Sequence, residues 1–91
     1  MLKIVTSKKF LKDLRVAKNR GFDLEQLNLV VTKLANRIEL EPKYKDHALL
    51  GKYHDFRECH IKPDWLLIYS IDDEELELFL FRNGTHSDLF K

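Results

Sequence analysis

Ninety-one residues, 44% of them hydrophobic, suffice for one domain over residues 1–91 with a single modest core and exclude a second. A formal net charge of +1 does not by itself mark a polyanion-binding protein, but the charge is unevenly divided. Residues 1–45 hold 11 Lys or Arg against 5 Asp or Glu, and residues 46–91 hold 5 against 10, so a positive face can form on a nearly neutral chain.

Leu2 to Val5 is a short β-prone run. Ser7 is a good N-cap for a helix carrying Phe10, Leu11, Leu14 and Ala17 inward, which Gly21 stops. Asp23 with Gln26 resembles a capping box, and Leu24, Leu27, Val31, Leu34 and Ile38 follow at helical spacing until Pro42 closes the region. Tyr44 to His54 has no clean period and reads as a loop with at most a short turn. Three strands follow, Asp55 to Ile61, Trp65 to Ile71 and Glu75 to Phe81, separated by Lys62-Pro63 and by Asp72-Asp73-Glu74. The tail from Asn83 is polar and short. The pattern predicts an α+β fold of order β-α-α-β-β-β, a helical hairpin packed on a mainly antiparallel sheet. No apolar run approaches the roughly 20 residues of a membrane span. The lone Cys59 reads as a small core residue, and residues 1–10 reach lysine before a signal region develops, so the expectation is a cytoplasmic protein without a membrane partner.

All four histidines, His47, His54, His60 and His86, lie in the second half. A turn at Lys62-Pro63 would set His60 opposite Asp64 or Trp65, and a turn at Asp73-Glu74 would set Trp65 roughly opposite Arg82. His86 and Phe90 follow Arg82 at steps of four and can fold over this end, whereas His54 has no tie to the group and suits the surface. These residue types fit RNA cleavage by an internal 2′-OH. Histidine can remove or supply a proton near neutral pH, the planar Arg82 guanidinium can stabilise phosphate charge, and Trp65 and Phe90 can stack on bases. Each has an ordinary structural alternative: Trp65 as core, Arg82 in an ion pair, Phe90 pinning the chain end, Asp64 as a turn residue.

The string Tyr44-Lys45-Asp46-His47, with Gly51, Phe56-Arg57-Glu58-Cys59-His60, Pro63-Asp64-Trp65, Tyr69, Arg82-Asn83-Gly84-Thr85-His86 and Leu89-Phe90, resembles the YafQ branch of the RelE/ParE toxin superfamily. The resemblance covers essentially the whole chain. It implies the toxin of a type II toxin–antitoxin pair, an endoribonuclease (mRNA interferase) that cuts mRNA on the ribosome and is silenced by a cognate antitoxin; the residue types themselves make a nuclease set that calls for no metal or cofactor. It also implies acid–base and substrate-orienting roles for His47, His60, Asp64 and His86, phosphate stabilisation by Arg82, and substrate contacts from Trp65 and Phe90. His86 is the favoured general acid, with Asp64 and His60 both candidates for the base. Lys8, Lys9, Lys12, Arg15 and Lys18 are expected to dock on ribosomal RNA. Two alternatives remain: a noncatalytic inhibitor of DNA gyrase, as in the ParE branch, and a metal-binding module of His47, His60, Asp64 and His86, for which no His-x3-His spacing speaks.

Overall fold

A computed structural model describes residues 1–90. In chain order it contains β1 (Lys3–Thr6), α1 (Lys8–Asn19), α2 (Leu24–Ala35), β2 (His47–Ala48), β3 (Arg57–Lys62), β4 (Trp65–Asp72), β5 (Glu77–Gly84) and α3 (His86–Leu89), with short 3-10 turns at Pro42–Tyr44 and Gly51–Tyr53. The expected α+β class and helical hairpin are present. The sheet runs β1-β5-β4-β3-β2, antiparallel except that β1 lies parallel to β5. None of the described helices is long and apolar enough to cross a membrane.

Local chemistry explains the helix boundaries. The Ser7 hydroxyl accepts from Phe10 N (2.9 Å) and donates to the Phe81 carbonyl (2.6 Å), so one side chain caps α1 and ties it to β5. Asp23 caps α2 by accepting from Glu25 N. That helix stops at Ala35, because Arg37 takes the left-handed conformation (φ 57°) and donates to the Leu34 carbonyl while Ile38 N donates to that of Lys33. Ile38 is therefore outside the helix and exposed, as is Leu11 in α1, against the expectation that both face inward.

Phe10, Ala17, Leu27, Val30, Val31, Leu34 and Ala35 of the hairpin pack on Cys59, Ile61, Trp65, Leu67, Tyr69, Leu78 and Leu80 of the sheet. The thiol of Cys59 is pushed up to about 12 by burial, which makes it an inert core group. The opposite sheet face carries a second cluster in which Leu66, Ile68 and Leu89 are joined by Leu49, Phe56, Phe81 and Phe90. Strand β4 is thus central and apolar on both faces, as its unbroken hydrophobic run predicts.

Two registers differ from expectation. Lys62 pairs with Trp65 across a Pro63-Asp64 turn, and a bulge between His60 and Lys62 sets His60 opposite Leu66. The β4–β5 connection occupies 73–76. Asp72 Oδ1 accepts from Glu74 N and Glu75 N, and Leu76 adopts φ 56°. With a further irregularity beside Ile68, Arg82 comes to lie opposite Ile68 instead of Trp65. Strand β5 consequently runs on through Asn83 and Gly84, both buried, and the expected polar tail holds the last turn of regular structure, α3. Lys91 lies outside the described residues.

Candidate active site

The turn Pro63-Asp64 is the meeting point of two histidines. His60, on the sheet face away from the helices, turns its Nδ1 to the Pro63 carbonyl (3.2 Å). A carbonyl only accepts, so Nδ1 carries the proton and the neutral ring keeps its lone pair on Nε2. From the other side the His86 backbone N–H donates to Asp64 Oδ1 (3.4 Å). That contact fixes the start of α3 beside the turn. Among the described residues the His86 ring nitrogens have no hydrogen-bond partner, and the ring lies 5.0 Å from that of Phe90. Phe90 in turn meets Tyr53 edge-on at 6.1 Å, so the aromatic expected at the chain end does border the histidine.

A four-residue helix has no stability of its own, and α3 is held by three devices. Thr85 and Asp88 form a reciprocal capping box, Leu89 is buried against Leu66 and Ile68, and Arg20 at the end of α1 grips Asp88 with Nη1–Oδ2 2.6 Å and Nη2–Oδ1 3.2 Å. Arg20 and the Thr85 backbone N–H hold the Asp88 carboxyl well below the usual carboxylate range. A lowered folded-state value means stabilisation that is complete above the unfolded value of about 3.9 and fades as pH falls toward the folded one. The difference in thermal midpoint between the parent and Asp88→Asn should therefore stay constant from pH 8 to 5 and shrink only in stronger acid. A difference that closes near pH 6 would refute this.

Arg82 projects beside the same end of the sheet, where Asp13 of α1 binds it through Nε–Oδ2 2.7 Å and Nη2–Oδ1 3.0 Å. The structural alternative for this arginine, an acidic partner, is thus realised, and hydrogen bonding to Asp13 raises its already high pKa further. His47 stands on the edge strand β2 opposite Glu58. Its Nδ1 meets the Lys45 carbonyl at 2.6 Å and its Nε2 the Glu58 carboxylate at 3.0 Å. Both nitrogens face acceptors, so these two contacts orient the His47 ring against Glu58 at the sheet edge. Strand β2 itself is anchored from below. The Tyr69 hydroxyl donates to Asp46 Oδ1 (2.6 Å), which Arg57 Nε also approaches at 3.4 Å. Tyr69→Phe should cost about 1 kcal/mol, read as a lower denaturant midpoint at unchanged slope; an unchanged midpoint would remove this network from the fold's support.

Trp65 is packed within the fold. It is 3% exposed, lies against Phe22 at 5.0 Å, and donates from Nε1 to Asn83 Oδ1 (3.2 Å). Its ring is on the helix side of the sheet with Leu67 and Tyr69, where it ties β4 to β5 and borders a pocket that it lines with Phe22, Asp23, Lys62 and Asp64. His54 lies at the surface with its Nε2 3.3 Å from Asp55. Lys8, Lys9, Lys12, Arg15 and Lys18 are all exposed on α1, apart from the histidines. Sequence reasoning missed Asp13, Glu58 and Tyr53. Glu58 alone left a signal, a carboxylate in the same alternating set as His60.

The family model described as "Bacterial toxin of type II toxin-antitoxin system, YafQ" matches residues 2–91. The mRNA interferase toxin YafQ of Escherichia coli is 39% identical over 85 residues, which span 92% of this chain and 90% of that protein. Among solved structures, a metal-bound toxin from Helicobacter pylori is 58% identical with a TM-score of 0.94, over 99% of this chain and 100% of that one. The toxin in the E. coli DinJ-YafQ toxin-antitoxin complex is 36% identical with a TM-score of 0.89, over the whole of both chains. The metal belongs to the H. pylori structure. In this chain no group of three or more His, Cys, Asp or Glu among the described residues is gathered so as to hold an ion. A family match over 2–91, with relatives similar along nearly their full length, places this chain in the YafQ family of bacterial toxins of type II toxin–antitoxin systems.

Proposed function

We propose that this toxin is an endoribonuclease that cuts mRNA on the ribosome through His60, His86 and Arg82, and that a cognate antitoxin silences it. The observation that carries the reading is the Pro63-Asp64 turn, which binds His60 through one residue and the His86 backbone through the next. The E. coli relative's name, mRNA interferase, supports the substrate, and the DinJ-YafQ complex supports the partner.

His60 Nε2, free to accept, takes the proton of a ribose 2′-OH. The 2′-oxygen bonds to the adjacent phosphorus while the bond from phosphorus to the 5′-oxygen breaks, and the protonated His86 ring gives its proton to that oxygen. Arg82 stabilises the negative charge that grows on the phosphate. Asp64 holds α3 and hence His86 in place, His47 and Glu58 brace the neighbouring edge, and Phe90 offers a ring face beside His86. The products are a 2′,3′-cyclic phosphate and a 5′-hydroxyl.

Purified toxin incubated with mRNA, with and without ribosomes and in the presence of chelator, tests this. Ribosome-stimulated, chelator-insensitive cleavage leaving a cyclic phosphate is expected. Intact RNA together with inhibition of gyrase supercoiling would overturn the reading. The exposed cations of α1 are the docking face for ribosomal RNA. Affinity for ribosomes should fall steeply with salt, and replacing Lys8, Lys12 and Arg15 one at a time with alanine should reduce the log–log slope by about 1 each. An affinity indifferent to salt would assign docking to another face.

A further inference from the structure

Helix α1 has one acidic residue among its twelve, Asp13. A helix serving only as a cationic surface has no use for it. Asp13 does not face solvent with the lysines: its side chain is 15% exposed, and both its oxygens are taken by the C-terminal end of β5. Oδ2 accepts from Arg82 Nε at 2.7 Å and from Asn83 N at 3.2 Å, and Oδ1 accepts from Arg82 Nη2 at 3.0 Å. Seven residues on, close to two helical turns along the same face, Arg20 grips Asp88 with a second two-pronged contact. Asp88 Oδ2 also accepts from Thr85 N at 3.0 Å, so this grip acts on the residue before His86. Asp13, Arg20, Arg82 and Asp88 line one cleft with Val16 and Gly84.

We infer that α1 is a splint that sets the separation and orientation of Arg82 and His86, with Asp13 and Arg20 as positioning residues. This deepens the proposed ribonuclease reading and rests on it. Asp13 occupies Nε and one Nη2 hydrogen of Arg82. Among the described residues the Nη1 group has no acceptor, which leaves the far side of the guanidinium for a phosphate. An arginine has several freely rotating bonds. Fixing its fork removes that freedom before substrate arrives, and a misplacement of about 1 Å at such a group can cost about a hundredfold in rate.

Four variants test the splint: Asp13→Asn, Asp13→Glu, Arg20→Gln and Arg82→Ala. Asp13→Asn and Arg20→Gln should each lower kcat, Asp13→Asn by about a hundredfold, with KM changed little. Asp13→Glu keeps the charge but shifts the fork, and should lose kcat at an unchanged unfolding midpoint. A readout that a purely structural contact would not move is chemical rescue. Free guanidinium at non-denaturing concentration should restore part of the activity of Arg82→Ala, beyond an equal concentration of sodium chloride, and adding Asp13→Asn should abolish that restoration. Parental kcat in Asp13→Asn, or a loss of activity in all the α1 variants that merely follows their loss of folded protein, would overturn the splint. Arg82→Ala with full activity would also overturn the splint, by removing the group it orients, whereas RNA left intact by the parent protein would instead overturn the ribonuclease reading beneath it.

Discussion

Replacing His86 with alanine is expected to slow RNA cleavage by about a hundredfold to ten-thousandfold, the range that one positioned proton donor supplies. The fold should barely notice. His86 is exposed at the first position of α3, its backbone contact to Asp64 survives the change, and alanine is a better helix former, so stability should stay within about 0.5 kcal/mol. The role of acid, as opposed to general support, is read from the leaving group. An RNA whose scissile 5′-oxygen is replaced by sulfur releases a thiolate that needs no proton, so the His86→Ala penalty should largely vanish on it while the His60→Ala penalty remains. Equal penalties for His86→Ala on both substrates would assign the proton to another group.

Much of the framework was legible because it is written locally. The 3.6-residue spacing of Leu24, Leu27, Val31 and Leu34 fixes α2, and Ser7 and Asp23 mark where helices begin. The central place of β4 follows from its apolar run, yet the same run hides which face is which. Trp65, Leu67 and Tyr69 alternate with Leu66, Ile68 and Ser70, and both sets are apolar enough to be core. Parity alone therefore could not tell that Trp65 joins the helix-side core while His60 shares its face with Leu66. Register failed for a related reason. It depends on turn length, and the β4–β5 turn turns on Leu76 at φ 56°, a conformation that no leucine advertises. Arg37 and Lys45 take the same region, at φ 57° and 48°, and the first ends α2 before Ile38. The types of the site residues were readable from the second half of the chain, but the partners that hold them were not. Asp13 and Arg82 are 69 residues apart, and Arg20 and Asp88 are 68 apart, so nothing in the local pattern marks either pair.

Arg82→Ala should remove about a hundredfold to a thousandfold of the rate if the guanidinium meets charge that develops on the phosphate. Here the fold can complicate the result. Taking Arg82 away leaves the 15% exposed Asp13 carboxylate without its main partner. Breaking a fully buried pair costs about 3–5 kcal/mol, and this one should cost less because Arg82 itself is 25% exposed. Two further variants separate chemistry from folding. Arg82→Lys keeps a cation near Asp13, and thus most of the stability, but offers a point charge where a planar fork is needed, so it should remain folded and lose most of its activity. Asp13→Asn combined with Arg82→Ala removes the orphaned charge, so its unfolding midpoint should recover relative to Arg82→Ala alone while cleavage stays low. Parental cleavage by Arg82→Lys would show that charge alone suffices there and would remove the fork, and with it the reason for an oriented guanidinium. Recovery of cleavage together with stability in the double variant would show that Arg82 serves the fold and that another cation meets the phosphate.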